Sequence, residues 1–263
     1  MKVLITGAFG GIGSKIALAF ASRGDTLFLL DREIPYKETT LIGRDAMLAV
    51  GAGDFHSYAV DFRNPATLDE LLTELSGNVT IDIVINCAGV QHIAALEELP
   101  LDIWNNVINI NLTASFLTIK HLLPGMCLQG FGRVINVASV HGLVASVHKA
   151  AYVSSKHGII GLTKVAALET AAFGSSASGG VTVNAICPGW VDTPLLDDQI
   201  AELAARGDLD RRGALAKMLD HKQPSGRLTQ SNDLVKLVEF LCLPSSHNLT
   251  GASIPIDGGW TAQ

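Results

Sequence analysis

A chain of 263 residues, 48% hydrophobic and 17% charged, is long enough to bury a substantial core in one α/β domain and too apolar to remain disordered. The net charge of −6, with no basic run, argues against a nucleic-acid surface. No apolar stretch approaches the ~20 residues that span a bilayer, so no membrane role is expected.

Taken in chain order, strand-like and helix-like segments alternate, the rhythm of βαβ units around a parallel sheet. Residues 3–6 read as a short apolar strand running into a glycine turn, which leaves no room for a signal peptide. A helix is expected over 12–23, ending at Gly24, then strands over 26–31 and 56–61 with a poorly patterned stretch between them. Asn64 as cap and Pro65 at the first position open a helix over 65–76. A buried strand follows at 81–88, a long helix at 101–123, a buried strand at 133–138 and a helix at 149–173. Strands at 181–186 and 252–256 complete about seven. The Gly/Ser-rich residues 174–180 read as a loop insertion, and no linker or repeat divides the chain. The expected fold is therefore a single α/β domain over 1–263. It is a doubly wound, Rossmann-type parallel sheet with helices on both faces. Cys87, Cys127, Cys187 and Cys242 are scattered without ligand-like spacing, which suggests reduced thiols in a cytoplasmic protein and no metal.

TGAFGGIG, residues 6–13, follows a strand and opens a helix. Its glycines, Gly7, Gly11 and Gly13, let the backbone approach a pyrophosphate favoured by the helix N-terminus. The spacing is G-x-x-x-G-x-G, and alone it describes any tight strand-to-helix turn. Asp31 gives it meaning, because it ends the second strand 18 residues after Gly13, where a carboxylate can accept from ribose hydroxyls. Facing a 2′-phosphate, each unit pair of like charges at 4 Å would cost about 4 kcal/mol, whereas a charged hydrogen bond to the ribose contributes ~1.5–3 kcal/mol. Repulsion dominates, and NAD is expected over NADP. Arg32 is the dissenting residue, although Gly10 leaves no basic side chain in the turn itself.

Tyr152 and Lys156 are four apart, on one helix face, with Ser139 thirteen residues before Tyr152 at a strand end. A phenol beside an ammonium makes an acid/base group for neutral pH. Bringing the Tyr pKa from about 10 to about 7 needs roughly 4 kcal/mol of preferential phenolate stabilisation. One cation ~4–5 Å away supplies about that much at an effective dielectric near 20, with desolvation opposing it.

These features, with Asp61, NCAG at 86–89, Asn111 in NINLTASF, YVSSK at 152–156 and PGWVDTP at 188–194, resemble the short-chain dehydrogenase/reductase family over the whole chain. The resemblance implies a nicotinamide cofactor and a homotetramer. It implies that Ser139 holds the substrate oxygen, Tyr152 passes the proton, Lys156 lowers the Tyr pKa and binds the nicotinamide ribose, and Asn111 positions a water-linked relay. It also implies that Phe9 and Ile12 belong to the cofactor turn and that Asp61 and Phe62 flank the adenine. Asn86, Ala88 and Gly89 would follow the adenosine path, and Ile186, Pro188, Gly189, Val191 and Thr193 would line the nicotinamide side. Cys87 stands where the family often has a second Asn.

Residues 82–263 look most like the D-3-hydroxybutyrate dehydrogenase branch, through NCAGVQH, NVASVHGLVASVHKAAYVSSKHG, NAICPGWVDTPL and DGGWTAQ. That branch implies a small carboxylate substrate, 3-hydroxybutyrate or acetoacetate. Gln91, His141, Lys149 and Gln199 would contact the carboxylate, and Trp190 and Trp260 would close the pocket. Singly, each has an ordinary explanation as a loop, surface or core residue. Jointly, they supply the cation and donors that a buried carboxylate requires. Residues 195–223, helical and charged, read as a lid that excludes water. The alternatives are a 3-oxoacyl thioester reductase, a dehydrogenase for another short hydroxy acid, and a non-catalytic dinucleotide sensor.

Overall fold

In the computed structural model, which describes residues 1–33, 54–220 and 222–262, the strands form one seven-stranded parallel sheet. Its strands are β1 (Lys2–Thr6), β2 (Thr26–Asp31), β3 (Asp54–Ala59), β4 (Ile83–Asn86), β5 (Phe131–Val137), β6 (Gly180–Pro188) and β7 (Ser253–Ile256). They lie in the order β3-β2-β1-β4-β5-β6-β7. The winding reverses between β1 and β4, so a crevice opens at their carboxyl ends, the place where open α/β sheets bind ligands.

Helices cover both faces: α1 (Gly11–Ala21), α2 (Pro65–Asn78), α3 (Leu101–Ile108), α4 (Ala114–Gln129), α5 (Ala150–Thr170), α6 (Pro194–Gly207), α7 (Arg211–Leu219) and α8 (Ser231–Leu241). The two-residue period of the strands sorts their side chains between two cores. Val3, Ile5, Leu27 and Leu29 pack with Ile16 and Phe20 of α1 and Leu234, Val238 and Leu241 of α8. Leu4, Phe28 and Leu30 pack on the opposite face with Leu68 and Leu72 of α2 and Leu122 and Met126 of α4. No helix among the described residues is long and apolar enough to cross a membrane.

Several elements differ from the sequence expectation. The third strand ends at Ala59, so Asp61 and Phe62 lie just beyond the sheet. The long helix expected over 101–123 continues to Gln129 and is broken by a π turn over Asn109–Thr113, which places Asn111 against Val90 and Ser155. Helix α8 is additional to the expected elements; a capping box between Gln230 and Asp233 opens it, and its apolar stripe lies against α1. The poorly patterned stretch between β2 and β3 falls largely outside the described residues. The 174–180 segment has a structural role. Its Gly179 and Gly180 carbonyls each accept from the guanidinium of fully buried Arg133 at 2.8 Å, and the Leu243 carbonyl adds a third contact at 3.0 Å.

A polar chain crosses the second core. Thr118 of α4 donates to Asn86 Oδ1, Asn86 donates to Asn136 Oδ1, and Asn136 donates to Thr163 of α5, each at 2.8 Å. All four side chains are buried, so every partner left unpaired carries a desolvation cost. Asn136→Ala removes the acceptor of the Asn86 amide N–H and a donor to Thr163 Oγ1, while Thr118 and the Ile159 carbonyl keep their bonds to these residues. It should lower unfolding stability by about 2–4 kcal/mol in a urea titration, while a loss below about 1 kcal/mol would mean that neighbouring groups re-pair.

Candidate active site

The glycine turn after β1 is shaped by close backbone approaches. Gly7 has φ +63°, and a Cβ there would lie 2.7 Å from Ala88 Cα. A Cβ on Gly13 would lie 2.1 Å from the Gly7 carbonyl oxygen, so α1 can begin beneath the turn only with glycine at that position. Thr6 Oγ1 accepts from the backbone N–H groups of Cys87 and Ala88 at 3.1 and 3.2 Å, locking the ends of β1 and β4 together. Asp31 Oδ2 accepts from Phe9 N–H at 2.9 Å, which ties the turn to the end of β2. No side chain caps α1, so the turn offers its open helix start and glycine backbone to an anion.

Two cavities meet along this edge, sharing Cys87, Gly89 and Val90. The larger, about 530 Å³, is lined by Gly7, Phe9, Asp31, Asp61, Phe62, Ala88 and Gly89 among others. Its two arginines are both paired. Arg32 faces Glu33 at 3.3 Å, and Arg63 holds Asp61, pulling that carboxyl below its ordinary pKa. This cradle has the space, the open helix start and the strand-end carboxylate that an adenine dinucleotide requires. Burial pushes the Cys87 thiol up to about 12, so it forms a neutral wall.

Gly11 and Gly13 shape the turn without lining either cavity, whereas Ile12 lines the smaller one. Asn86 turns its amide into the core chain described above instead of along the adenosine path, because its carbonyl and amide are both taken there. Ile186 is fully buried in the α1–α8 core and not on the nicotinamide side. Asn111 clasps the Val90 backbone through both its polar atoms, at 2.9 and 3.0 Å, and donates to Ser155 Oγ at 3.0 Å. Its side chain thus holds the β4 loop against α5, below the cavity wall.

The smaller cavity, about 150 Å³, holds the rest of the expected site. Ser139, Tyr152 and Lys156 line it together with Pro188, Gly189, Val191 and Thr193. Ser139, close to the Tyr152 phenol, acts to lower its pKa. Lys156 Nζ donates to the Val137 carbonyl at 2.8 Å and lies 5.7 Å from the centre of the Tyr152 ring. The expected lowering of the phenol pKa is absent in this state. Burial raises Tyr152 above its ordinary value and outweighs the effect of Ser139. Burial also brings Lys156 down to about 8. Desolvation penalises both charged forms, and one ammonium at that range does not offset it.

Gln91, His141, Lys149, Trp190, Gln199 and Trp260 also line this cavity, and no acidic side chain among the described residues lines it. Trp190 and Trp260 lie 5.7 Å apart, and Lys149 Nζ sits 5.0 Å over the Trp190 ring. Burial, reinforced by repulsion from Lys222, brings Lys149 down to about 8. Burial and nearby cations bring His141 down to about 4, so at neutral pH it is an uncharged ring between Ser139 and Ser146. The segment expected as a lid consists of two helices, α6 and α7. Leu196, Ile200 and Ala214 form an apolar cluster against Trp190, and Leu196 and Gln199 reach the cavity.

Sequence reasoning did not single out Thr6, Lys222, Gln223 or Asp257. Gln223, 1% exposed, accepts from Trp190 N–H at 3.0 Å. Asp257 accepts from Gly259 and Thr261 and shapes the turn that carries Trp260. Nothing in the sequence marked Gln223, because its Trp190 partner lies thirty-three residues away.

Comparison with known proteins agrees with this geometry. Residues 1–204 match the family model described as short chain dehydrogenase. The chain is 40% identical over 264 residues to D-beta-hydroxybutyrate dehydrogenase of Cupriavidus necator, covering 99% of this chain and 97% of the relative. It is 36% identical to the protein of the same name from Rhizobium meliloti over 261 residues, covering 99% and 98%. Among solved structures, it is similar to a variant of actinorhodin polyketide ketoreductase with NADPH, with a TM-score of 0.86, 30% identity and coverage of 100% and 97%.

Proposed function

We propose that this chain, which belongs to the short-chain dehydrogenase family, reversibly oxidises (R)-3-hydroxybutyrate to acetoacetate with NAD. The observation that carries the substrate is the wall of the smaller cavity, where Lys149 and several neutral donors surround a space of about 150 Å³ with no acidic side chain among the described residues. A buried cation without a carboxylate partner attracts a small anion. A long acyl thioester has no use for it. The two D-beta-hydroxybutyrate dehydrogenases at 40% and 36% identity support the same reading.

The bound nicotinamide ring supplies the hydride acceptor for C3 of the alcohol. Tyr152 takes the hydroxyl proton as general base, and in the reverse direction its protonated phenol donates to the carbonyl oxygen. Ser139 donates to the same oxygen. Lys156, held against Val137, keeps a positive charge beneath the phenol and stabilises the phenolate while it exists. Lys149, Gln91, His141 and Gln199 fix the carboxylate, so that one face of C3 is presented. Trp190 and Trp260 exclude water.

Asp31 supports NAD over NADP. It lines the larger cavity and already orders the turn through Phe9, and the pairing of Arg32 with Glu33 and of Arg63 with Asp61 leaves neither guanidinium dedicated to a 2′-phosphate. The NADPH named with the similar ketoreductase structure belongs to that protein.

Initial rates at 340 nm with acetoacetate and NADH test this reading directly. Lys149→Ala should raise KM for acetoacetate about 100-fold and leave the NADH Kd unchanged, since a lost charge-assisted contact costs ~1.5–3 kcal/mol. Unchanged KM would remove Lys149 from the substrate site.

The pH dependence follows from the same residue. Lys149 is charged below its lowered pKa of about 8, so KM should be flat to that point and then climb as the proton leaves. A KM independent of pH up to about 10, the ordinary range of a lysine, would contradict the assignment.

Tyr152→Phe should lower kcat about 1,000-fold, within the range of a lost general acid/base. Near-normal turnover would exclude the phenol. Asp31→Ser should cut the preference for NAD over NADP at least about tenfold, read as the ratio of kcat/KM values, because the like-charge repulsion disappears. A constant ratio would place discrimination elsewhere.

A further inference from the structure

Lys222 plays no part in the chemistry above. It follows α7 at the end of the lid and is exposed, yet its ammonium lies over Trp260, a residue of the cavity wall. Nζ stands 3.3 Å from Ser146 Oγ and 5.2 Å from the centre of the Trp260 ring. Ser146 Oγ also bonds His141 Nε2 at 2.8 Å, and the His141 ring lies 5.5 Å from Trp260. Lys149 sits 5.0 Å over Trp190, the other member of the indole pair. Each indole of the substrate pocket is thus faced by its own ammonium.

Lys222 is also anchored at its base. The next residue, Gln223, is buried, accepts from Trp190 N–H and donates to the Arg227 carbonyl. The cation is therefore registered to the pocket wall and does not ride on a free lid tip. Its field reaches both Lys149 and His141, and it repels the former. Two like charges at one small pocket destabilise the empty site, and an anion between them reverses that sign.

We propose that Lys222 is the second cation of the anion site, so that a small carboxylate is held between Lys149 of the body and Lys222 of the lid. The inference rests on the carboxylate reading and deepens it. A carboxylate has two oxygens and about four acceptor positions, enough to engage both ammonium groups together with the pocket amides. Because one cation comes from the lid, the anionic end of the substrate fastens the lid to the body. An uncharged analogue of the same size leaves that contact unmade.

The test uses full-length Lys222→Met and Lys222→Arg, assayed with NADH against acetoacetate and its uncharged methyl ester. Lys222→Met should raise KM for acetoacetate about tenfold or more, one charge-assisted contact, with kcat and NADH Kd within about twofold. KM for the methyl ester should not move, and Lys222→Arg should restore acetoacetate binding. An unchanged KM for acetoacetate, or an equal rise for both substrates, overturns the second cation. A wild-type enzyme that prefers acetoacetate to the ester while Lys222→Met keeps that preference undiminished overturns it and leaves the carboxylate reading standing. A wild-type enzyme indifferent between the two overturns both.

Discussion

The hydrogen bond from Lys156 Nζ to the Val137 carbonyl joins helix α5 to the end of β5 and leaves the ammonium charge unneutralised. An acid in place of that carbonyl would have held the lysine as firmly and cancelled its field. A carbonyl dipole orients the cation and satisfies a donor, yet leaves net positive charge beneath the Tyr152 ring. The cost is visible in Lys156 itself, whose pKa burial brings down to about 8. The same preference governs Arg133 at the opposite end of the sheet, where backbone carbonyls of the 174–180 turn and Leu243 receive the guanidinium. There the charge serves only to fasten strand ends. At the cleft, in the proposed function, it serves proton transfer and anion binding.

The titration state of the cleft follows from this arrangement. Tyr152 is raised and His141 lowered, so at neutral pH both are uncharged, and the positive charge resides on the lysines. Desolvation acts on every group, but it reverses the state of only those whose ordinary pKa lies near neutrality. His141 loses its charge for that reason, while Lys149 and Lys156 start high enough to keep theirs. An oxygen base is then produced only when further positive charge reaches the phenol. The protein alone keeps its proton in store.

How much of this was legible in the sequence depended on the range of the interaction. Gly7, Asp31, Ser139, Tyr152 and Lys156 could be placed because strand ends and helix periodicity fix them locally, and all five stand at the cleft or its turn. Lys149 was legible for the same reason, three residues before Tyr152 at the start of the same helix. Asn86 was placed on the wrong side of its strand end, since only the packed core shows that Asn136 and Thr118 claim its amide. Lys222 and Gln223 were invisible, because what they touch lies 33 to 76 residues away. The π turn at Asn109–Thr113 has no composition of its own, and a periodic pattern reads through it.

The lid and the pocket wall share one set of contacts. Leu196, Ile200 and Ala214 pack against Trp190, and Gln223, where the lid rejoins the body, accepts from the Trp190 backbone. Outward movement of α6 and α7 would therefore strip Trp190 of its apolar support and strain its polar anchor together. Trp190 in turn is the partner of Trp260 and the ring beneath Lys149. In the proposed function the lid could not admit water while the carboxylate grip stayed intact, because the same indole, Trp190, belongs to both sets of contacts. On the function proposed above, recognition of a small acid and exclusion of solvent become one closing event.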